Sequence, residues 1–245
     1  MPLRVRNLYD PKSKAPYKVS RSKIELFVDC KRCFYIDRRL GIGRPSGPPF
    51  NLNKAVDALL KKEFDIHRAK GEPHPFMKAY GIDAIPFAHE ELDNWRENFV
   101  GCQYHDEASG FLVTGAVDDL WVDKNGKLIV VDYKATSKDA EVTLDADWQM
   151  SYKRQMEIYQ WILRKMGFEV SDTGYFVYCD GRADREAFDG KLEFDIKVIP
   201  YTGNGDWIDD TLVNMRKCLR ASKVPKAADD CEFCAYVKDV SVNAP

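Results

Sequence analysis

Three residues carry the chemistry this sequence could perform: Asp118, Asp132 and Lys134. Asp132 and Lys134 stand two apart in the run LIVVDYKAT, so on an extended strand they share a face. Asp118 comes one hairpin earlier, after Gly115-Ala-Val, and strand pairing is expected to bring its carboxylate alongside. Two such carboxylates can grip a hard cation, Mg²⁺ or Mn²⁺, and leave positions for water and a phosphate oxygen. An ion so placed stabilises charge on a scissile phosphate and lowers the pKa of bound water. The Lys134 ammonium can orient or deprotonate the attacking water, or neutralise the transition state. A merely solvated hairpin is the weaker reading, because Asp132 directly follows four apolar residues, where an unpaired charge is costly. Asp119 points to the opposite face of a regular strand and is not expected to be the principal ligand.

The cysteines form a second constellation. Seven are present, and four of them make two CxxC pairs, Cys30/Cys33 and Cys231/Cys234. An odd count in a chain without a secretion signal argues against a disulfide framework. Residues three apart on a helix share a face, so each pair can offer two thiolates to one centre. Together they supply the four that structural zinc or an iron–sulfur cluster requires, with four packed thiols as the plain alternative. Cys102, Cys179 and Cys218 fall in apolar surroundings and read as core. The four histidines show no ligand spacing, and no Ser/His/Asp arrangement or Gly-rich phosphate loop is evident. Any helicase or ATPase activity would have to come from a partner.

These residues need elements to hold them. The first twenty residues, rich in Lys, Pro and Ser, read as a flexible basic arm. Ser22 then caps a helix through SKIELFVDCKRCFYIDRRLGI, ended by Gly41. A second amphipathic helix runs from Asn51 or Asn53 to Gly71, and residues 72–90, with three prolines, read as loop. After a strand near 99–106, the segments GFLVTGAVDDLWV and KLIVVDYKA read as a hairpin, with Asn125-Gly126 at its turn. A long helix from Asp147 to Met166 follows, then strands in GYFVYCD and KLEFDIKVIPY and a last helix at about 206–221. This order predicts a mixed α/β or α+β domain with a helical N-terminal part. The expected divisions are an arm at 1–20 and one domain at 21–235, ending in a tail at 236–245. Within the domain lie a helical part (21–98), a catalytic core (99–221) and a cysteine-bearing tail (222–235).

Net charge is only −2, but residues 1–44 hold twelve Lys or Arg against four Asp or Glu, so the remainder sums to −10. A basic end beside an acidic body suits a phosphate-tracking surface next to a carboxylate-lined site, or equally a solvated basic face. Arg21, Lys23, Lys31, Arg32, Arg38 and Arg39 are the candidates for backbone contacts, and Tyr35 and Trp148 for stacking on unpaired bases. No apolar run approaches the ~18 residues of a membrane span, and a cytoplasmic location is expected.

The order Gly115-Ala-Val-Asp118, Asp132-Tyr-Lys134, Gln155-Met-Glu-Ile-Tyr159 resembles the PD-(D/E)XK nuclease superfamily, in particular its RecB-like branch. That branch includes the RecB and AddAB nuclease domains and the CRISPR-associated RecB-like exonucleases. The resemblance implies a restriction-endonuclease-like core, a mixed sheet flanked by helices. It also implies exonucleolytic hydrolysis of single-stranded DNA or duplex ends with Mg²⁺ or Mn²⁺, in repair, recombination or defence, with a helicase or another repair or CRISPR protein as partner. Gln155 and Tyr159 would then position DNA or the catalytic residues. The segment Asn53-Lys-Ala-Val-Asp57 matches the branch's helical motif, with Asp57 where the family has a metal-binding His. Some members clamp their chain ends with a 4Fe–4S cluster on one N-terminal and three C-terminal cysteines. Here the last of those falls at about Val240, and Cys33 would replace it, leaving 4Fe–4S and zinc both open. The competing reading is a non-catalytic nucleic-acid-binding or scaffold module that retains the fold.

Overall fold

Hydrophobic alternation and turn chemistry produce eight strands and eight α-helices within residues 7–243, the part of the chain described by this computed structural model. The first half holds β1 (Tyr17–Ser20), α1 (Arg21–Asp29), α2 (Lys31–Arg39), α3 (Asn51–Lys70), α4 (Pro75–Ala79), β2 (Ala84–Pro86) and α5 (Leu92–Arg96). Then come β3 (Cys102–Asp106), β4 (Phe111–Gly115), β5 (Asp119–Asp123), β6 (Leu128–Thr136) and α6 (Met150–Lys165), the last entered through a 3₁₀ turn at Asp147–Gln149. β7 (Thr173–Gly181), β8 (Phe194–Thr202), α7 (Trp207–Arg220) and α8 (Glu232–Asn243) complete the chain. Residues 1–6 of the expected arm and 244–245 of the expected tail lie outside the described residues.

Two compact units divide the chain, one from residues 49–102 and 115–205, the other from 1–48, 103–114 and 206–245. The first contains a five-stranded sheet in the order β2-β5-β6-β7-β8, in which β6 and β7 are parallel and the other pairs antiparallel. β6 opens with six buried residues because helices cover both faces of the sheet. On one face, Leu60 and Phe64 of α3 pack on Trp121, Ile129, Val131 and Tyr133. On the other, α6 comes so close that a Cβ on Gly174 would strike the Met156 sulfur. The sheet therefore sits in a helix–sheet–helix sandwich with the polar residues of β6 at its C-terminal end.

The other unit carries a three-stranded sheet in the order β1-β4-β3, with β1 parallel to β4, beside α1, α2, α7 and α8. Tyr17 and Val19 alternate inward, and the residues at 17–20 expected in a loose arm form β1 for that reason. The helix expected through Gly41 breaks at Cys30, whose extended backbone (φ −158°, ψ 107°) separates α1 from α2. No glycine or proline marks the break. Residues 72–90 hold α4, which begins with His74 accepting from the Phe76 amide (3.1 Å) and Pro75 at the first helical position, and β2, an edge strand that tolerates Pro86. Residues 232–243, expected as tail, form α8.

The expected first hairpin strand is interrupted. β4 ends at Gly115 and β5 begins at Asp119, in different sheets, and the Val117 amide donates to the Trp95 carbonyl (3.1 Å) instead of to a ladder partner. Asp118 thus lies in the bend before β5. The hairpin β5–β6 forms as the Asn125-Gly126 pair predicts, with Gly126 at φ +83° and Asp123 accepting from the Asn125 and Lys127 amides (2.8 and 2.9 Å).

Candidate active site

Asp132 is fully buried on β6, with a hydrogen bond to one carboxylate oxygen and an ion pair to the other. Gln155 Nε2 donates to Oδ1 at 2.7 Å, and the Lys134 ammonium pairs with Oδ2. Strand alternation brings Asp132 and Lys134 to one face, as their spacing predicts. The Lys134 ammonium also lies 4.5 Å from the centre of the Tyr152 ring on α6, a cation–π contact that fixes its direction.

Asp118 is partly open. Its Oδ2 accepts from the Tyr133 amide at 3.0 Å, tying the bend before β5 to the site end of β6. Its Oδ1 faces Lys61 Nζ at 3.6 Å, and the same ammonium pairs with Asp57 Oδ2 at 2.8 Å. Burial first, and the Asp118 charge second, raise the Asp57 pKa against the opposing pull of Lys61. The result is a pair of carboxylates drawn together around a cation. Asn53 anchors the start of α3 by donating to the Ala135 carbonyl (3.0 Å), and a cavity of about 90 Å³ opens among Asn53, Asp57, Lys134 and Tyr152.

A divalent ion fits this donor set. All three acidic side chains offer hard oxygens, and the Lys61 ammonium stands in as a cation between Asp57 and Asp118. The residues that would hold the ion are Asp118 and Asp132, with Asp57 in the third position. Their oxygens do not meet at one point in this structure: among the described residues, only the four CxxC cysteines bring three or more ligand atoms within 4.8 Å of one another.

The Gln-x-x-x-Tyr spacing has a clear structural consequence. One helical turn separates Gln155 from Tyr159, and Gln155 Nε2 donates to both the Asp132 carboxylate and the Tyr159 hydroxyl (3.1 Å). The Tyr159 ring packs against Gly115, where an added Cβ would stand 2.6 Å from Cε1. Gly115 is therefore small because Tyr159 lies on it. The glycine four residues before Asp119 and the tyrosine on α6 belong to one packing unit behind the carboxylates.

Asp119 points away from this face, as alternation predicts. Fully buried, it receives Arg68 and Arg96 (2.8 Å) and the Tyr133 hydroxyl (2.7 Å). Arg68 and Arg96 also share Asp65. Burial, then the Asp119 charge, holds the Tyr133 hydroxyl well above its ordinary pKa. This ion network braces α3, α5 and β5 under the site. Sequence reasoning missed it, together with Lys61 and Tyr152. The i, i+4 spacing of Asp57 and Lys61 was the available signal for the lysine.

The basic candidates differ in fate. Lys23 pairs with Asp37 (2.6 Å), and Arg38 is buried, bonded to Asp37 (3.1 Å) and to the Asn7 carbonyl (3.4 Å). Burial raises the Asp37 pKa, but hydrogen bonds from Lys23 and Arg38 outweigh it and the net shift is downward. Arg38 is thus a structural cation, out of reach of a phosphate. Arg39 donates to the Tyr9 carbonyl (3.2 Å), Arg21 and Arg32 are half-buried, and Lys31 is exposed. Tyr35 is buried with its hydroxyl on the Ala221 carbonyl (3.1 Å), which removes it as a stacking surface. Trp148 is 54% exposed, edge-on to Tyr152 and beneath Lys138.

The cysteine pairs meet in the other unit. Cys30 and Cys33 open α2, Cys231 and Cys234 open α8, and none of the described cysteines forms a disulfide. Burial pushes the Cys30 thiol up, but backbone hydrogen bonds from Ala228 and Cys33, with the neighbouring thiols, bring it down to about 7. Arg44 donates to Cys231 Sγ at 3.5 Å. Cys102 and Cys179 are buried and Cys218 is half-buried.

A family model of the PD-(D/E)XK nuclease superfamily matches residues 51–238. No curated protein matches the chain. Among solved structures, the crystal structure of SSO0001 is similar over 96% of this chain and 88% of that chain, at 17% identity and a TM-score of 0.39. No helix of the described residues is long and apolar enough to cross a membrane.

Proposed function

This chain belongs to the PD-(D/E)XK nuclease superfamily, and on that premise we propose that it is a divalent-metal-dependent nuclease of the RecB-like branch. We assign it hydrolysis of DNA phosphodiester bonds from an end. The observation that carries the reading is Asp132, a fully buried carboxylate held by Gln155 and Lys134, with Asp118 on the adjoining bend. A module that only binds has no use for that charge constellation.

Mg²⁺ or Mn²⁺, when bound, supplies charge stabilisation at the phosphate and a lowered pKa for the attacking water. The chain's own residues do the rest. Asp118 and Asp132, with Asp57, present the oxygens. Lys134, aimed by Tyr152, orients the water or neutralises the transition state. Gln155 and Tyr159 are positioning residues that hold Asp132 in one rotamer. Exposed Trp148, next to Lys138 and edge-on to the Tyr152 ring that carries Lys134, offers a stacking surface to an unpaired base, which supports a single-stranded path into the site. Lys31, with Arg21 and Arg32, is assigned to phosphate contacts that weaken with added salt.

One observation favours a second reading. Lys61 already places a positive charge between Asp57 and Asp118, and a module that had lost its metal would keep such an internal counter-ion. End-labelled single-stranded and duplex DNA, incubated with Mn²⁺, Mg²⁺ or EDTA, separates the two. Cation-dependent cleavage with products shortening from one end supports the nuclease. Binding without cleavage under every cation supports the module.

A further inference from the structure

The spacing of the four thiols in the second unit decides what they can hold. Cys33 Sγ lies 3.6 Å from Cys231 Sγ and 3.7 Å from Cys234 Sγ, and Cys30 Sγ lies 3.9 Å from Cys234 Sγ. All four sulfurs fall within 4.8 Å of one another. These separations are far too long for disulfide bonds, at about 2.04 Å. They match a different geometry. Four sulfurs placed tetrahedrally at a zinc–sulfur distance of about 2.3 Å stand about 3.8 Å apart. An iron–sulfur cube sets its thiolates on four separate irons at its outer corners, so they cannot approach one another this closely.

The local backbone agrees. Each CxxC sits at the start of a helix: Cys30 immediately precedes α2, with its carbonyl accepting from the Phe34 amide (3.0 Å). Cys231 immediately precedes α8, with its carbonyl accepting from the Cys234 and Ala235 amides (both 3.0 Å). Two like half-sites face each other, a two-plus-two arrangement. Four thiolates around one divalent ion carry a net charge of −2, which is costly in a largely buried position. Arg44 answers it. Its Nη2 donates to Cys231 Sγ (3.5 Å), its Nη1 pairs with Asp29 (3.1 Å), and its guanidinium lies 4.6 Å over the Phe233 ring.

We propose that Cys30, Cys33, Cys231 and Cys234 bind a single tetrahedral zinc ion, not a 4Fe–4S cluster, with Arg44 as the charge-compensating residue. The ion joins α2 to α8 across about two hundred residues of chain, so its role is to close the unit and not to do chemistry. Binding displaces the thiol protons, and no electron transfer is involved.

Metal analysis of the full chain, purified without oxygen or chelator, is the test. We expect about one zinc per chain, no visible absorption, and a tetrahedral thiolate spectrum after exchange with Co²⁺. Cys33→Ser should cut the zinc content at least about fivefold and lower Tm, and Arg44→Gln should leave the stoichiometry intact while weakening retention against a chelator. A brown protein with about four irons and matching acid-labile sulfide overturns the proposal. So does a metal-free protein whose four thiols titrate freely. Neither result depends on nuclease activity, and wild-type metal content needs no variant that folds poorly.

Discussion

Gln155 Nε2 donates to Asp132 Oδ1 at 2.7 Å, so a residue on α6 fixes the rotamer of a buried carboxylate on β6. This bond gives the Gln-x-x-x-Tyr spacing its meaning, because the same amide reaches the Tyr159 hydroxyl one turn along. Supporting groups of this kind typically change metal affinity or activity by about 10–100-fold when removed. We expect Gln155→Ala to fall in that range in single-turnover cleavage and to raise the Mn²⁺ needed for half-maximal rate. Full activity in a well-folded Gln155→Ala protein would show that Asp132 is held without it.

Gly115 and Tyr159 form one packing unit, with no room for a Cβ. Gly115→Ala should destabilise by about 1–3 kcal/mol in urea denaturation, the usual range for overpacking. The double variant Gly115→Ala, Tyr159→Ala should lose less than the sum of the single losses, since removing the ring relieves the clash. Strict additivity would mean that the two do not touch.

Lys61 competes with a metal ion for Asp57 and Asp118. A partly exposed pair of this kind is worth up to about 1 kcal/mol, or roughly fivefold in a binding constant. Isothermal titration of Lys61→Gln with Mn²⁺ should therefore show tighter binding by up to about that factor. Weaker binding would make Lys61 a support for the site.

The raised pKa of Asp57, caused by burial and then by Asp118, has a sign that can be checked. A carboxyl whose folded pKa lies above its unfolded value destabilises the fold when ionised in both states. That penalty is full above the folded pKa and vanishes below the unfolded value of 3.8. In EDTA, Asp57→Asn should thus raise Tm at neutral pH, and the gain should shrink as pH falls through the folded pKa towards 3.8. A gain independent of pH would point to packing instead.

Much of this was legible in the sequence. The pairing of Asp132 with Lys134 followed from a two-residue period on a strand. The turn of Asp119 to the face opposite Asp118 and the hairpin at Asn125-Gly126 followed from equally local rules. What stayed hidden was decided by distant contacts. Nothing in GFLVTGAVDDLWV announces that the chain changes sheets between Gly115 and Asp119, where the contacts come from residues distant in sequence: Tyr159 packs against Gly115, and the Trp95 carbonyl accepts from the Val117 amide. At the break at Cys30 the side chain likewise meets a partner at the other end of the chain, Cys234. Arg38 read as a surface cation because its counter-charge, Asp37, is its own neighbour, and burial cannot be seen from composition.

Trp148 tests the path of the substrate. Stacking on an aromatic face is worth about 1–3 kcal/mol per base, so Trp148→Ala should weaken single-stranded DNA binding by roughly tenfold or more. Duplex binding should change little. Equal loss on both substrates would remove Trp148 as a base platform.

Cleavage by this site rests on Lys134 and the carboxylates around it, and Lys134→Ala is the decisive variant. Cleavage and binding of labelled single-stranded DNA should be measured side by side, in Mn²⁺ and in EDTA, for wild type and variant. We expect wild-type cleavage only with the cation, and a variant that retains binding but loses at least about a hundredfold in rate, as for other electrostatic catalytic groups. Cleavage at the wild-type rate by the variant, or by either protein in EDTA, would contradict the assignment of this site.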